Sequence, residues 1–268
     1  MLERLNSALG RTHKDGATLY KTPLSTIDYY GHDSINAFEM GGVGRDPLTR
    51  HLTQNIDWDK RKIEYSFNSL GLRGPEPNYS DDAKMLFVGG SLMHGVGVNE
   101  EDTFVHKTAK ALNASYINVS DTDSLTELFD EIDDYMDVFK PNYLIISDTR
   151  FFDEFGHAWT LFWKSKNKTK EERYILTNEL RPILIKRNQK VMELLLYKIN
   201  NLYKDTTTVF ITSNRKDFAF ENIISYGTKI LYLDNSYFVD LARDNRHGGP
   251  DTHTNITHQL LNLLNQRP

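Results

Sequence analysis

The sequence predicts an α/β fold in which a parallel sheet of about five strands is covered by helices on both faces. Short apolar runs alternate along the chain with segments whose apolar residues recur at helical spacing. This alternation is typical of a three-layer α/β/α sandwich. With 268 residues, of which 39% are hydrophobic, the chain is long enough for one large domain, alone or with substantial additions.

The elements of the main sheet follow one another in a regular order. Strands are predicted at Met85–Val88, Ser115–Val119, Pro141–Ser147, Thr207–Ser213 and Lys229–Leu233. Helices are predicted at Glu101–Asn113, Leu125–Phe139, Glu179–Tyr203 and Ile256–Leu264. Each strand is a short apolar run, and each helix repeats apolar residues three or four positions apart.

The chain on either side of this pattern is less regular. Residues 1–61 are expected to form an extension that is partly irregular or β, because prolines and glycines interrupt them. The main domain is expected at 62–268, beginning with a half-buried strand at Lys62–Phe67. Residues 155–178 break the alternation and are predicted to be a lid or an insertion. Their tryptophans, Trp159 and Trp163, either stack on a sugar or pack against the domain.

A serine occupies the sharp bend after the first central strand. Gly89-Gly90 ends that strand, and Ser91 follows at once. This position holds a hydroxyl at the carboxyl edge of the sheet, near backbone N–H groups, where open α/β sheets bind ligands. The simpler interpretation is a tight turn. A serine nucleophile also needs a histidine base and a carboxylate that orients it.

The most suggestive base is His253, in the stretch Gly248–His258. This histidine follows the last predicted strand, after a glycine-rich loop, and precedes the last helix, and we expect that loop to open on the same edge as the serine. Asp251 lies two residues earlier and is expected to orient the imidazole. Taken alone, His253 would more often be a surface or capping residue. His94 is at most a residue that lines the pocket, and His247 at most a loop residue.

These segments resemble the SGNH, or GDSL-type, hydrolase family. The family's first block is matched by Gly89-Gly90-Ser91, Gly95–Val98 and Glu101–Phe104, and its last block by Asp251, His253, Asn255 and His258. The resemblance implies a flavodoxin-like α/β/α sandwich. It also implies Ser91 as nucleophile, His253 as base and Asp251 as orienting acid, with backbone N–H groups of Ser91 and Ser120 forming the oxyanion hole.

The chain departs from the family pattern at several positions. Gly90 replaces an aspartate of the first block, and Ser120 replaces a glycine of the second. The asparagine of the third block is absent, so that one oxyanion donor is missing or is replaced by Thr149, Arg150 or another group. Many members place the aspartate three residues before the histidine, whereas Asp251 precedes its histidine by two.

The resemblance implies a serine esterase, with acetyl groups on carbohydrate as a plausible substrate class and with no metal or organic cofactor. Two alternatives use the same fold. One is a catalytically weak or inactive module for binding or structure, for example a virion or glycan-binding component, which the missing asparagine favours. The other is an acyltransferase that passes the acyl group to a sugar hydroxyl.

Composition limits the partners. A net charge of -5 argues against nucleic acid, and the basic cluster at 164–173 is interpreted as a solvated face. The absence of cysteine excludes disulfides and thiol nucleophiles. Arg73 either reaches an anionic substrate or packs under the sheet. No secretory signal or apolar run of ~20 residues is visible, so we expect no membrane span and a protein that is cytoplasmic or part of a larger particle.

Overall fold

The fold is seen in a computed structural model of the chain. It describes residues 61–80, 82–120, 125–147, 181–212, 227–233, 237–245 and 247–266, together with isolated positions that include Thr26, Ile27 and Asp33. Most of the predicted N-terminal extension, almost all of the predicted lid, and both of the lid's tryptophans lie outside the described residues.

A five-stranded parallel sheet forms the centre of the domain. Its strands are β3 (Lys84–Val88), β4 (Ser115–Val119), β5 (Tyr143–Ser147), β6 (Thr207–Thr212) and β7 (Lys229–Tyr232). They lie in the order β4-β3-β5-β6-β7, which is the flavodoxin-like order of a doubly wound sheet. All five predicted strands are present and in parallel pairing, so the predicted sheet is confirmed.

Helices cover both faces of this sheet. In the ranges given above, the helices are α1 (Ser91–His94), α2 (Phe104–Ala111), α3 (Leu125–Phe139), α4 (Arg181–Leu202) and α5 (Pro250–Asn265). Side chains alternate along each strand: Leu86 packs in the core cluster of α3 and α4, whereas Phe87 packs in that of α2 and α5. The predicted three-layer sandwich is therefore confirmed. None of the helices in the described ranges combines the length and apolarity needed to cross a membrane.

A second, small sheet lies outside the central one. β1 (Thr26–Ile27) pairs antiparallel with β2 (Tyr65–Ser66). The alternation predicted for Lys62–Phe67 is present, because Ile63, Tyr65 and Phe67 are buried and the residues between them are exposed. The regular strand is shorter than predicted, and its partner comes from the N-terminal extension.

The last helix begins earlier than predicted, and this changes the position of the predicted base. Gly249 is its N-cap, and Pro250 is its first residue, where the missing N–H and the fixed φ of proline suit a helix start. Residues 250–255 are consequently helical, although the helix was predicted to begin only at Ile256. Asp251 and His253 are thus residues of α5.

Candidate active site

Ser91 begins α1 directly after the glycine pair that follows β3. We call residues 89–98 the β3 loop. A Cβ on Gly89 would lie 3.0 Å from the Ser147 Cβ, so that a side chain there would crowd the neighbouring strand. The other three residues of α1 are buried, and Ser91 is half-buried. The prediction that Ser91 lies at a strand-turn-helix bend agrees with the structure. Its hydroxyl makes no hydrogen bond within the described ranges.

Arg73 holds the β3 loop in place from below. Its guanidinium donates to the carbonyl oxygens of His94 and Gly95 through Nη1 and to that of Val98 through Nη2, each at 2.6 Å. Its Nε lies 3.0 Å from a carboxylate oxygen of Glu100, and the side chain is fully buried. Of the two predicted roles, the structure therefore shows packing.

Ser120 follows β4 and contacts the β3 loop through its side chain. Its hydroxyl shares a 2.8 Å hydrogen bond with Nδ1 of His94, a ring that is almost fully buried. In the adjacent ladder, the Gly89 N–H donates to the Val119 carbonyl at 3.0 Å. Among the loop and turn bonds of the described residues, the backbone N–H groups of Ser91 and Ser120 donate to no carbonyl. The third expected contributor, at Thr149 or Arg150, lies outside the described residues.

His253 is enclosed between α2 and α5. Its side chain is 1% exposed, its ring stacks on that of Phe104 at 5.7 Å, and its Nδ1 accepts the Phe104 N–H at 3.1 Å. Burial, and secondarily the charges of Lys107, Arg73 and His247, lowers the pKa of His253 to about 3. An Nδ1 that accepts a hydrogen bond carries no proton, so the neutral ring carries its proton on Nε2.

The predicted pairing of Asp251 with His253 is not formed. Within the described ranges no hydrogen bond or ion pair joins the two side chains, and Asp251 is exposed. The reason is the early helix start, since residues two apart in a helix point in different directions. The Asp251 N–H instead donates to Oδ2 of Asp240 at 3.2 Å, as part of the start of α5.

A different aspartate and histidine form the expected pair. They lie in residues 241–248, which we call the final loop and which is closed by a bridge between Leu241 and Gly248. Nδ1 of His247 lies 2.6 Å from Oδ2 of Asp244, and the His247 N–H donates to Oδ1 at 3.1 Å. The Asp244 side chain is fully buried, whereas that of His247 is 19% exposed.

This pair has the tautomer that a general base requires. A carboxylate beside Nδ1 holds the proton there, and Nε2 of the neutral His247 ring is then the basic nitrogen. The final loop also contacts the β3 loop, because the Arg243 N–H donates to the Gly97 carbonyl at 3.0 Å. The sequence did contain a signal for the pair: Asp244 precedes His247 by three residues, the spacing of many SGNH hydrolases.

Several solved structures are similar to this chain. One is a carbohydrate esterase whose active site displays divergent catalytic and non-catalytic binding functions, with 14% identity and a TM-score of 0.47 over 73% of this chain and 68% of its own. An acetylxylan esterase from Geobacillus stearothermophilus, in a catalytic mutant, has 13% identity and a TM-score of 0.44 over 70% of this chain and 96% of its own.

A putative lipolytic protein of the G-D-S-L family from Desulfitobacterium hafniense has 11% identity and a TM-score of 0.40, over 68% of this chain and 99% of its own. No protein-family model matches the chain, and no curated protein sequence does. Similarities with identities and TM-scores this low do not establish which reaction this chain catalyses.

Proposed function

We propose that the protein is a serine esterase in which Ser91 is the nucleophile, His247 the general base and Asp244 the orienting acid. The observation that carries this proposal is the Asp244–His247 contact of 2.6 Å between a buried carboxylate and a partly exposed imidazole. The pair lies in the final loop, which is hydrogen-bonded to the β3 loop that contains Ser91. Nucleophile, base and acid would thus come from two loops in contact.

The reaction would proceed through an acyl-enzyme. Nε2 of His247 takes the hydroxyl proton as Ser91 Oγ attacks the ester carbonyl, and Asp244 stabilises the imidazolium that forms. The imidazolium then gives the proton to the leaving alcohol as the carbon–oxygen bond of the ester breaks. Water, activated by the same histidine, attacks the acyl group and releases the acid.

The developing oxyanion would be stabilised by backbone N–H groups of Ser91 and Ser120. Each such donor is typically worth ~2.7–4 kcal/mol of transition-state stabilisation. Support for this assignment comes from the hydrogen bond between His94 and Ser120, because it keeps the end of β4 beside the β3 loop. Within the described loops, no carbonyl oxygen accepts a hydrogen bond from either N–H group.

The predicted roles of His253 and Asp251 pass to His247 and Asp244 in this proposal. His253 has the opposite tautomer, with Nδ1 occupied by the Phe104 N–H, so its Nε2 carries a proton and cannot accept another while the ring is neutral. Its low pKa also makes it a poor proton acceptor near neutral pH. We propose instead a structural role for His253 between α2 and α5.

For substrate, we propose acetyl esters of carbohydrates. This class follows from the resemblance of the sequence to SGNH hydrolases, and the similar acetylxylan esterase acts on a substrate of that kind by its name. The chemistry described above uses only side chains and backbone of this chain. Transfer of the acyl group to a sugar hydroxyl would use the same residues and differs only in the acceptor.

The test is the mass of the intact protein after treatment with a fluorophosphonate probe. Wild type is expected to gain one adduct, which Ser91→Ala lacks. His247→Gln should label at least a hundredfold more slowly, whereas His253→Asn should label at a rate near that of wild type. Release of acetate from acetylated xylan, with and without a sugar acceptor, would then separate hydrolysis from transfer.

Two results would overturn the proposal. If well-folded wild type gains no adduct, the esterase assignment fails and the binding or structural module becomes the better interpretation. If His253→Asn abolishes labelling while His247→Gln retains it, the assignment of the base is wrong, although the esterase activity stands.

A further inference from the structure

A closed ring of buried hydrogen bonds joins the β3 loop to the final loop through the N-terminal extension. The Gly97 N–H donates to the Tyr65 hydroxyl at 2.7 Å, and that hydroxyl donates to Oδ2 of Asp33 at 2.6 Å. The same oxygen, Oδ2 of Asp33, accepts a hydrogen bond from Nη2 of Arg243 at 2.6 Å. The Arg243 N–H completes the ring by donating to the Gly97 carbonyl at 3.0 Å.

The ion pair in this ring is almost fully removed from water. The side chains of Asp33 and Arg243 are 0% and 4% exposed. The guanidinium also donates through Nε to both carboxylate oxygens at 3.1 Å and through Nη1 to the Arg61 carbonyl at 2.9 Å. A buried pair with this many hydrogen bonds holds a fixed geometry, and removing one partner leaves the other charge uncompensated.

Tyr65 is suited to its place between the loop and the carboxylate. Burial, followed by the negative charge of Asp33, raises the pKa of Tyr65 well above its ordinary value. The hydroxyl is therefore protonated at every physiological pH. It can donate to Asp33 while it accepts from Gly97, and no other side chain type of this size offers both functions.

The ring includes Arg243, which is the neighbour in sequence of the proposed orienting acid, Asp244. Arg243 immediately precedes Asp244, and Gly97 lies in the β3 loop, which contains the proposed nucleophile Ser91. A displacement of Arg243 would move the carboxylate that orients His247 relative to Ser91. Displacements of about 1 Å in such a site can cost on the order of 100-fold in rate.

We propose that Asp33 is a positioning residue, which sets the Asp244–His247 pair against Ser91 by fixing Arg243. The N-terminal extension would then contribute, through Asp33, to the geometry of the active site. This inference rests on the proposed function for its kinetic consequences, whereas the geometry of the Asp244–His247 pair can be measured without any activity.

The test compares Asp33→Asn with wild type and with a control of lowered stability. Asparagine keeps the shape of aspartate and removes the charge that holds Arg243. Ile199→Ala is the control, since Ile199 is fully buried in the core between α4 and the sheet and belongs to neither loop. Thermal unfolding of each variant shows the temperature range in which all are folded.

Two readouts are taken in that range. The first is the downfield proton resonance of Nδ1–H of His247, identified by its absence from His247→Gln. The second is the rate of fluorophosphonate labelling. For Asp33→Asn we expect the resonance to move upfield or broaden and the labelling rate to fall roughly tenfold to a hundredfold. Ile199→Ala is expected to leave the resonance in place and the rate within about twofold of wild type.

The outcomes separate this inference from the proposed function. Three results would overturn the positioning role. The resonance is unchanged in Asp33→Asn, or Ile199→Ala changes the resonance and the labelling rate as much as Asp33→Asn does, or the wild type lacks the resonance. If the wild type is not labelled by the probe, the proposed function alone is overturned. The effect of Asp33→Asn on the His247 resonance then decides whether Asp33 is a positioning residue. If Asp33→Asn does not fold, Tyr65→Phe breaks the same ring at its hydroxyl and is judged by the same readouts.

Discussion

The buried His253 is expected to make the stability of the protein depend on pH in a way that one substitution can isolate. Burial lowers its pKa from 6.5 to about 3 in the folded protein. In the unfolded chain the imidazole is solvated and has its ordinary pKa. As pH falls below 6.5, the unfolded state therefore takes up a proton that the folded state does not, and the free energy of unfolding falls.

The expected size of this effect follows from the difference in proton affinity. Each tenfold difference is worth about 1.36 kcal/mol, so His253 would lower the free energy of unfolding by about 5 kcal/mol at pH values well below 3. The loss begins near pH 6.5 and reaches about 2 kcal/mol at pH 5. Carboxylates titrate in the acid range as well, so the contribution of His253 has to be measured as a difference between two proteins.

His253→Asn provides that difference. An asparagine oxygen can accept the Phe104 N–H, as Nδ1 does, but it does not titrate. Urea unfolding of both proteins between pH 8 and pH 5 should show that the wild type loses about 2 kcal/mol more than the variant. A difference that stays constant to within about 0.5 kcal/mol would refute the reasoning, because His253 would then take up protons equally in both states.

Three further predictions concern the two loops. Asp244→Asn should slow probe labelling on the order of 10³–10⁴-fold, because asparagine favours the wrong tautomer of His247. The control Asp251→Asn, at an exposed position, should label like wild type. Equal labelling rates of the two variants would contradict the assignment of Asp244 as the acid. Gly97→Ala should destabilise by about 1–3 kcal/mol more than Gly227→Ala in urea unfolding, because both have positive φ but only the Gly97 Cβ would lie 2.7 Å from a neighbouring side chain. Arg73→Met should cost about 3–5 kcal/mol of stability by leaving three carbonyls without their donor and the Glu100 carboxylate without its opposite charge. A loss below about 1 kcal/mol would show that the guanidinium does not hold the loop.

The central sheet could be predicted because its signals are local. Strands β3, β4 and β5 are mostly apolar runs buried on both faces, and such runs stand out in the sequence whatever their partners are. The helix Leu125–Phe139 was predicted with the bounds that the structure shows, since its apolar residues repeat without interruption. The pairing of β1 with β2 could not be predicted, because alternation in Lys62–Phe67 indicates a strand but not its partner, which lies about 40 residues earlier in the chain.

The position of Ser91 could be predicted for the same local reason, and the contact between Asp244 and His247 could not. Ser91 follows directly from a strand, two glycines and a helix start. The choice of His253 depended on placing it before the last helix, whereas Gly249 followed by Pro250 is in fact the start of that helix. The pair at Asp244 and His247 has the spacing common in the family, but an isolated spacing of three residues is too frequent by chance to stand out.

His253 and His247 differ in the hydrogen bond at Nδ1. That hydrogen bond decides which imidazole ring can act as a base, and the mere presence of an imidazole does not. His253 accepts a backbone N–H at Nδ1, which puts its proton on Nε2. His247 faces a buried carboxylate at Nδ1, which puts its proton there and leaves Nε2 basic. These tautomers depend on partners at positions 104 and 244, one of them about 150 residues away in the chain. A sequence motif can supply both rings, but only the folded contacts assign their protons, and in this chain they assign the basic Nε2 to His247.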